Sequence, residues 1–258
     1  MKNFFNRSVN YSNKILNSIY PTNPFVLKNS FPLISFSFDD FPDSAALTGA
    51  KILVKYNIHA TYYISLGTIG METVVGKICD FDTIQLLLKE GHEIGNHTYD
   101  HYHIYKSLGN SFEDSILKNE QKYKELFSGN RFETFAYPFG IVSNETKRIA
   151  SKYFRCSRST NKGVNHGIID IHTIKANSIY GNGDELDDIK KLINLTIKKN
   201  GWLNLYTHDV RKNHSLFGCT PEYFENVVKL AIDSGAKIVT IQEACNILGV
   251  PANPEIPR

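Results

Sequence analysis

Phe31-Pro32-Leu33-Ile34-Ser35-Phe36-Ser37-Phe38, followed at once by Asp39-Asp40, is the stretch on which the reading of this chain turns. A short apolar and aromatic run, opened by a proline and closed by two acids, predicts a strand buried on both faces. Both carboxylates then emerge at its carboxyl end, where α/β barrels place their chemistry. Neighbouring acids on an extended segment point to opposite sides. One can therefore coordinate a metal ion while the other approaches the same point from a different direction.

Outward from this strand the pattern alternates. Ala45 to Tyr56 predicts a helix, His59 to Ser65 a strand, and Asp82 to Glu90 a helix ended by Gly91. Phe112 to Phe127 predicts a longer amphipathic helix, and Thr134 to Tyr137 a short strand stopped by Pro138-Phe139-Gly140. Ser143 can cap a helix reaching Tyr153. Glu185 to Lys199 predicts a helix with Gly201 beyond its end, and Trp202 to Thr207 a strand that delivers His208 at its carboxyl end. Thr220-Pro221 starts a helix to Ser234, and Ala236 to Ile241 predicts a strand before a last helix to Leu248. Strands separated by helical crossovers predict a parallel sheet, and candidate residues after the strands fit an α/β barrel.

His97-Thr98-Tyr99-Asp100-His101 carries the second chemical signal. Two histidines four apart on one helical turn present imidazole nitrogens to a common point about 2.0–2.1 Å away. A divalent first-row metal held by two imidazoles takes a carboxylate as third ligand and leaves the remaining positions open. Asp39-Asp40 supplies that carboxylate with one to spare. Histidine pairs at this spacing also decorate ordinary helix surfaces, and an Asp-Asp after an apolar run also opens ordinary loops. Their occurrence together is what favours a metal.

Three segments resemble, in order and spacing, motifs of the NodB-type polysaccharide deacetylases, also called carbohydrate esterase family four. Ser37-Phe38-Asp39-Asp40 is similar to the first motif, Gly91 to His101 to the second, and Leu205-Tyr206-Thr207-His208 to the fifth. The likeness runs from about Phe31 to about Val250. It implies a distorted (β/α) barrel and a metal-dependent hydrolase removing N-acetyl groups from an amino sugar in a polysaccharide, oligosaccharide or glycan precursor. One divalent ion is implied on Asp40, His97 and His101, with Zn²⁺ expected and Co²⁺, Ni²⁺ or Mn²⁺ as alternatives. Asp39 takes the role of base and His208 that of acid. The main-chain N–H of Phe139 is the implied oxyanion donor, with Tyr206 or Leu205 against the acetyl methyl group. Tyr137, Phe139 and Trp202 are candidate faces for a sugar ring, while His92 and His103 match no ligand position.

The chain departs from the family pattern in three places. Ala136 stands where the third motif usually has an arginine that orients the base. The fourth motif, usually an Asp with a Trp, has no clear counterpart between Arg155 and Gly181, where Arg158 and Asp170 are the candidates for the vacated roles. Tyr206 replaces the leucine two residues before the histidine. Removal of a formyl group or opening of a cyclic amide on the same fold is one alternative function, and a catalytically silent glycan-binding module is another.

Composition fits a single domain. With 258 residues, 41% apolar and 21% charged content, the chain can bury a sizeable core. A net charge of +3 without basic runs argues against nucleic acid as a partner. Four scattered cysteines without a Cys-x-x-Cys pair fit free thiols in a reducing compartment. Apolar residues between Met1 and Tyr20 occur only in ones and twos, which does not make a signal peptide, and no stretch approaches a membrane span. A cytoplasmic location is the expectation. Residues 1–30 are expected to pack on the barrel as an extension, residues 31–250 to form the catalytic domain, and residues 251–258 to be an extended tail. Oligomeric state is not fixed by any of this.

Overall fold

The computed structural model describes residues 21–103, 111–127 and 130–252. Residues 1–20 and 253–258, which hold most of the expected extension and tail, lie outside the described residues. The first strand, β1 (Pro24–Val26), pairs antiparallel with β9 (Ile168–Asp170) outside the main sheet. The deciding stretch is β2 (Leu33–Phe38), and all six of its residues are buried. A π-helical turn, Ala45–Ala50, runs into α1 (Lys51–Lys55), followed by β3 (Thr61–Ile64). A small hairpin of β4 (Glu72–Thr73) and β5 (Gly76–Lys77) precedes α2 (Phe81–Lys89), β6 (Glu93–Asn96), α3 (Phe112–Leu126) and β7 (Thr134–Ala136). Next come α4 (Asn144–Tyr153), β8 (Cys156–Arg158), β9, β10 (Asn177–Ser178), α5 (Leu186–Lys199) and β11 (Trp202–Thr207). The chain continues through α6 (Pro221–Asp233), β12 (Lys237–Ile238) and α7 (Ile241–Leu248).

The strands β10-β11-β2-β3-β6-β7-β8 form one curled sheet, parallel throughout, with β12 added beside the start of β2. The curl nearly closes. Past the edge of β8, Ile174 N–H donates to Ser157 O and Ser159 N–H to Ile174 O, each at 3.0 Å. Three residues further on, Asn177 and Ser178 pair with Leu205 and Tyr206 of β11. One extended segment thus bridges the two edges, giving the distorted barrel expected for this chain.

Alternation along the strands sorts the side chains. Ile34, Phe36, Phe38, Leu203 and Leu205 pack outward under the helices in the larger core cluster, with Leu53, Ile84, Ile116 and Phe224. Ser35, Tyr63, Gly95, Ala136, Arg158 and Tyr206 occupy the opposite parity. At the base of the barrel, Glu93 accepts Thr61 Oγ1–H (2.7 Å), Gln242 N–H (2.8 Å) and the hydroxyl of Thr134, joining β3, β6, β7 and α7 through one carboxyl. Burial pushes the Glu93 carboxyl above the ordinary glutamate range, against these bonds.

Five sequence expectations need correction. Trp202 is fully buried, and its Nε1–H donates to Ser35 Oγ at 3.0 Å, so it offers no face to a sugar. Tyr137 is buried with its hydroxyl on His172 O at 3.0 Å, and Leu205 lies in the outer cluster, because both occupy the outward parity of their strands. Asp170 sits on the buried Lys147 ammonium at 2.8 Å and accepts Thr22 N–H at 2.9 Å, which ties down the first described residues instead of serving the barrel mouth. The strand expected over Ala236–Ile241 shrinks to β12. All four cysteines are buried and free, and no helix among the described residues is long and apolar enough to cross a membrane.

The interior leaves no room for a side chain at Gly95, where a Cβ would fall within the ring of Tyr63. Gly95→Ala should therefore cost about 1–3 kcal/mol by overpacking, read by urea unfolding. In a Tyr63→Leu background the penalty should fall by more than half, and an unchanged penalty would place the conflict elsewhere.

Candidate active site

β2 ends in a left-handed turn that decides which acid points where. Asp40 (φ 60°) and Phe41 (φ 60°) both leave the extended region, so strand alternation is not what separates the two carboxylates. Asp39 continues the inward parity and meets the guanidinium of Arg158, which reaches it from the end of β8. Arg158 is 1% exposed and stacked between Tyr206 (4.7 Å) and Tyr63 (5.1 Å). Burial pushes the Asp39 carboxyl up, but the adjacent guanidinium together with His97 and His208 holds Asp39 below the ordinary aspartate range.

Asp40 turns to the histidines. Its Oδ1 lies 3.7 Å from His97 Nε2 and 3.2 Å from His101 Nε2, and its Oδ2 lies 4.0 Å from His208 Nε2. The expected helical turn over His97–His101 is absent. Thr98 (φ 62°) and His101 (φ 51°) are left-handed, and the loop is held by Thr98 N–H on Asn96 Oδ1 and Tyr102 N–H on Thr98 Oγ1, both 2.8 Å. Asn119 of α3 braces the same loop through Asn96 Oδ1 (3.1 Å) and Ile64 O (2.9 Å). Sequence reading passed over Asn96 and Asn119, since buried amides leave no spacing signal.

Burial lowers His97 to about 3 and His101 to about 4, and it raises Asp40 to about 6 against the pull of His208. At neutral pH both imidazoles are uncharged, so their contacts with Asp40 are gathered donors and not ion pairs. His97 Nδ1–H donates to Ala136 O at 2.8 Å, which fixes the tautomer and leaves the Nε2 lone pair on the Asp40 side. Ligand atoms about 2.1 Å from one ion stand roughly 3.0–3.4 Å apart. Asp40 Oδ1 stands 3.2 Å from His101 Nε2 and 3.7 Å from His97 Nε2, and the three ligand atoms lie within 4.8 Å of one another, so the set is slightly wider than that span and would fit a divalent cation after closing in around it.

The other wall comes from β11. His208 Nδ1 faces Phe217 O at 3.1 Å and Tyr180 Oη at 3.5 Å. A carbonyl can only accept, so Nδ1 carries hydrogen and Nε2 faces Asp40. Asp209 fastens the loop that follows, accepting Ser215 N–H (2.8 Å), Ser215 Oγ–H (2.6 Å) and Arg211 Nε–H (2.9 Å). Asp39, Asp40, His97, His101, His208, Phe139 and Tyr206 line one pocket of about 410 Å³. Phe139, left-handed at φ 58°, lays its ring 4.3 Å from that of His101. Tyr180 and Phe217 also line the pocket and were not singled out from the sequence. His92 stays apart, accepting Ala60 N–H at 3.1 Å.

The family model for polysaccharide deacetylase matches residues 27–154. A peptidoglycan-N-acetylglucosamine deacetylase of Bacillus cereus is 28% identical over 153 residues, covering 58% of this chain and 51% of that protein. A poly-β-1,6-N-acetyl-D-glucosamine N-deacetylase of Staphylococcus aureus is 27% identical over 143 residues, covering 48% and 47%. The chain thus spans about half the length of these two relatives. A family 4 acetyl xylan esterase from Clostridium thermocellum, solved with a cobalt ion, shares the fold at TM-score 0.54 and 19% identity, covering 88% of this chain and 96% of that one. The family match begins before β2 and takes in both the Asp39-Asp40 turn and the His97–His101 loop: the chain belongs to the polysaccharide deacetylase family.

Proposed function

We propose that this protein is a divalent-metal-dependent hydrolase that removes the N-acetyl group from an amino sugar of a glycan or glycan precursor. The reading is carried by one observation: a three-ligand set, a carboxylate tied separately to a buried arginine, and an imidazole all face a single pocket. The two N-deacetylases among the relatives support an amide as the bond cleaved. Asp40, His97 and His101 would hold the ion. When bound there, a divalent cation polarises the acetyl carbonyl and acidifies a water molecule.

The chain's own groups do the rest. Asp39, kept ionised by Arg158, accepts a proton from the attacking water, whose oxygen adds to the carbonyl carbon. Phe139 N–H donates to the tetrahedral oxyanion. Cleavage of C–N then requires a proton on nitrogen, which His208 in its imidazolium form supplies from Nε2 while Nδ1–H stays on Phe217 O, and the proton held by Asp39 returns through solvent to His208 to reset the pair. Acetate and the free amino sugar are the products. Tyr206, stacked on Arg158, forms the wall nearest the acetyl methyl group. A silent binding module would have no use for a cation buried beneath one of two adjacent acids, and the Arg158–Asp39 pair therefore favours catalysis.

Purified protein should carry about one equivalent of Zn²⁺ or a similar ion, and His97→Ala should lose most of it by elemental analysis. Full metal content in that variant would remove the proposed site. Asp39→Asn should keep the metal and lose turnover by about a hundredfold or more, whereas Asp40→Asn should release the metal.

Replacing His208 by Ala should depress kcat on an N-acetyl amide far more than on a nitrophenyl acetate ester, whose leaving group needs no proton. Equal losses on both would move His208 to another step.

In metal-free protein, Arg158→Met should cost about 3–5 kcal/mol of stability because it strands a buried carboxylate. Adding Asp39→Asn should restore much of that, and strictly additive losses would mean that the two groups do not act as a pair.

A further inference from the structure

The pocket opens through an apolar rim that the hydrolytic chemistry does not require. Val74 at the tip of the β4–β5 hairpin is 79% exposed, and Leu216 in the loop after His208 is 89% exposed. Met71, Phe139 and Phe217 are also exposed large apolar side chains. Val74, Phe139 and Phe217 line the pocket itself, so the exposed surface continues directly into the site. Apolar side chains left this open mark places where something apolar binds.

These tips are held in place. Thr73 Oγ1–H donates to Gly76 O across the hairpin at 2.8 Å. Arg211 Nη2–H reaches Val75 O at 3.3 Å, while its Nε is bonded to Asp209, so hairpin and loop are braced against each other. Beyond the hydrolytic residues, the only polar side chains lining the pocket are Thr68, Thr73, Thr160, Tyr180 and Tyr206, among the described residues. Among the described residues no lysine or arginine lines it to meet a phosphate or carboxylate, and few groups face the many hydroxyls of a long glycan.

We infer that the site takes an amino sugar bearing an apolar aglycone, an alkyl or acyl chain that lies on Val74, Leu216 and Phe217 while the acetamido group enters the pocket. The inference rests on the deacetylase reading above and names its substrate class. Each methylene seated on such a surface contributes roughly 0.8 kcal/mol, so two or three on the rim give a preference of about tenfold or more.

The test compares octyl and methyl glycosides of N-acetylglucosamine, with the octyl compound below its micellar concentration, against N-acetylchitotetraose, using the metal-loaded full chain. The octyl glycoside should show a KM at least about tenfold below that of the methyl glycoside, with similar kcat. Val74→Ser and Leu216→Ser should each bring the ratio of the two KM values toward one. Equal KM values in the unaltered protein, or a clear preference for chitotetraose, would overturn the inference while leaving the deacetylase reading intact. If none of the three is deacetylated, the activity itself fails; calorimetric binding of the octyl but not the methyl glycoside would still uphold the apolar subsite, and its absence would sink that too. Equal KM values together with sedimentation on phosphatidylglycerol–phosphatidylcholine vesicles, lost in Leu216→Ser, would assign the rim to a bilayer surface instead.

Discussion

Everything at the mouth of this barrel depends on a single buried charge pair. Two adjacent carboxylates beside three histidines would repel each other and share whatever cation came near. Arg158 prevents this by claiming Asp39 from below, inside the barrel, where a guanidinium is stable only with a carboxylate and aromatic faces around it. Asp40 is thereby left to the imidazoles. The division of labour between neighbouring residues is thus set by an arginine well over a hundred positions away in sequence.

The interior is arranged around that arginine. Ala136 stands directly across the β7–β8 register from Arg158, and its methyl group leaves the space through which the longer side chain passes. A second arginine at position 136 would compete for the same volume and the same carboxylate. Gly95 yields its place to the Tyr63 ring, which in turn faces the guanidinium. Ala136 and Gly95 are therefore two sides of one packing solution.

Much of this is legible in the sequence, and the illegible part has physical reasons. The Phe31–Phe38 run and the capped, amphipathic helices announce a parallel α/β fold because period and caps are local signals. β6 hides because Glu93-Ile94-Gly95-Asn96 has one apolar residue and a barrel-filling glycine, and β8 to β10 hide because each has three residues or fewer. Asp39, Asp40, His97, His101 and His208 are visible through their motifs. Arg158 and Asp170 look alike as isolated charges, and only the tertiary placement of their strands separates them: Arg158 ends β8 and reaches Asp39 inside the barrel, whereas Asp170 ends β9, outside the main sheet, against Lys147. The His97–His101 spacing suits a helix and a tight loop equally, and the loop won because Asn96, Asn119 and Thr98 supply its backbone with partners.

Of the seven non-glycine residues with positive φ among those described, Asp40, His101 and Phe139 line the pocket, and Phe41 and Thr98 directly follow the lining residues Asp40 and His97. Such conformations cost of order 1 kcal/mol each and persist only while the surroundings enforce them. The barrel therefore carries its least relaxed backbone where its functional atoms sit, so local relaxation of these loops is downhill once their bracing loosens. On warming, the pocket should lose its shape before the sheet melts, so that inactivation precedes loss of circular dichroism. Sequence changes that relax these turns would trade pocket geometry for thermal endurance.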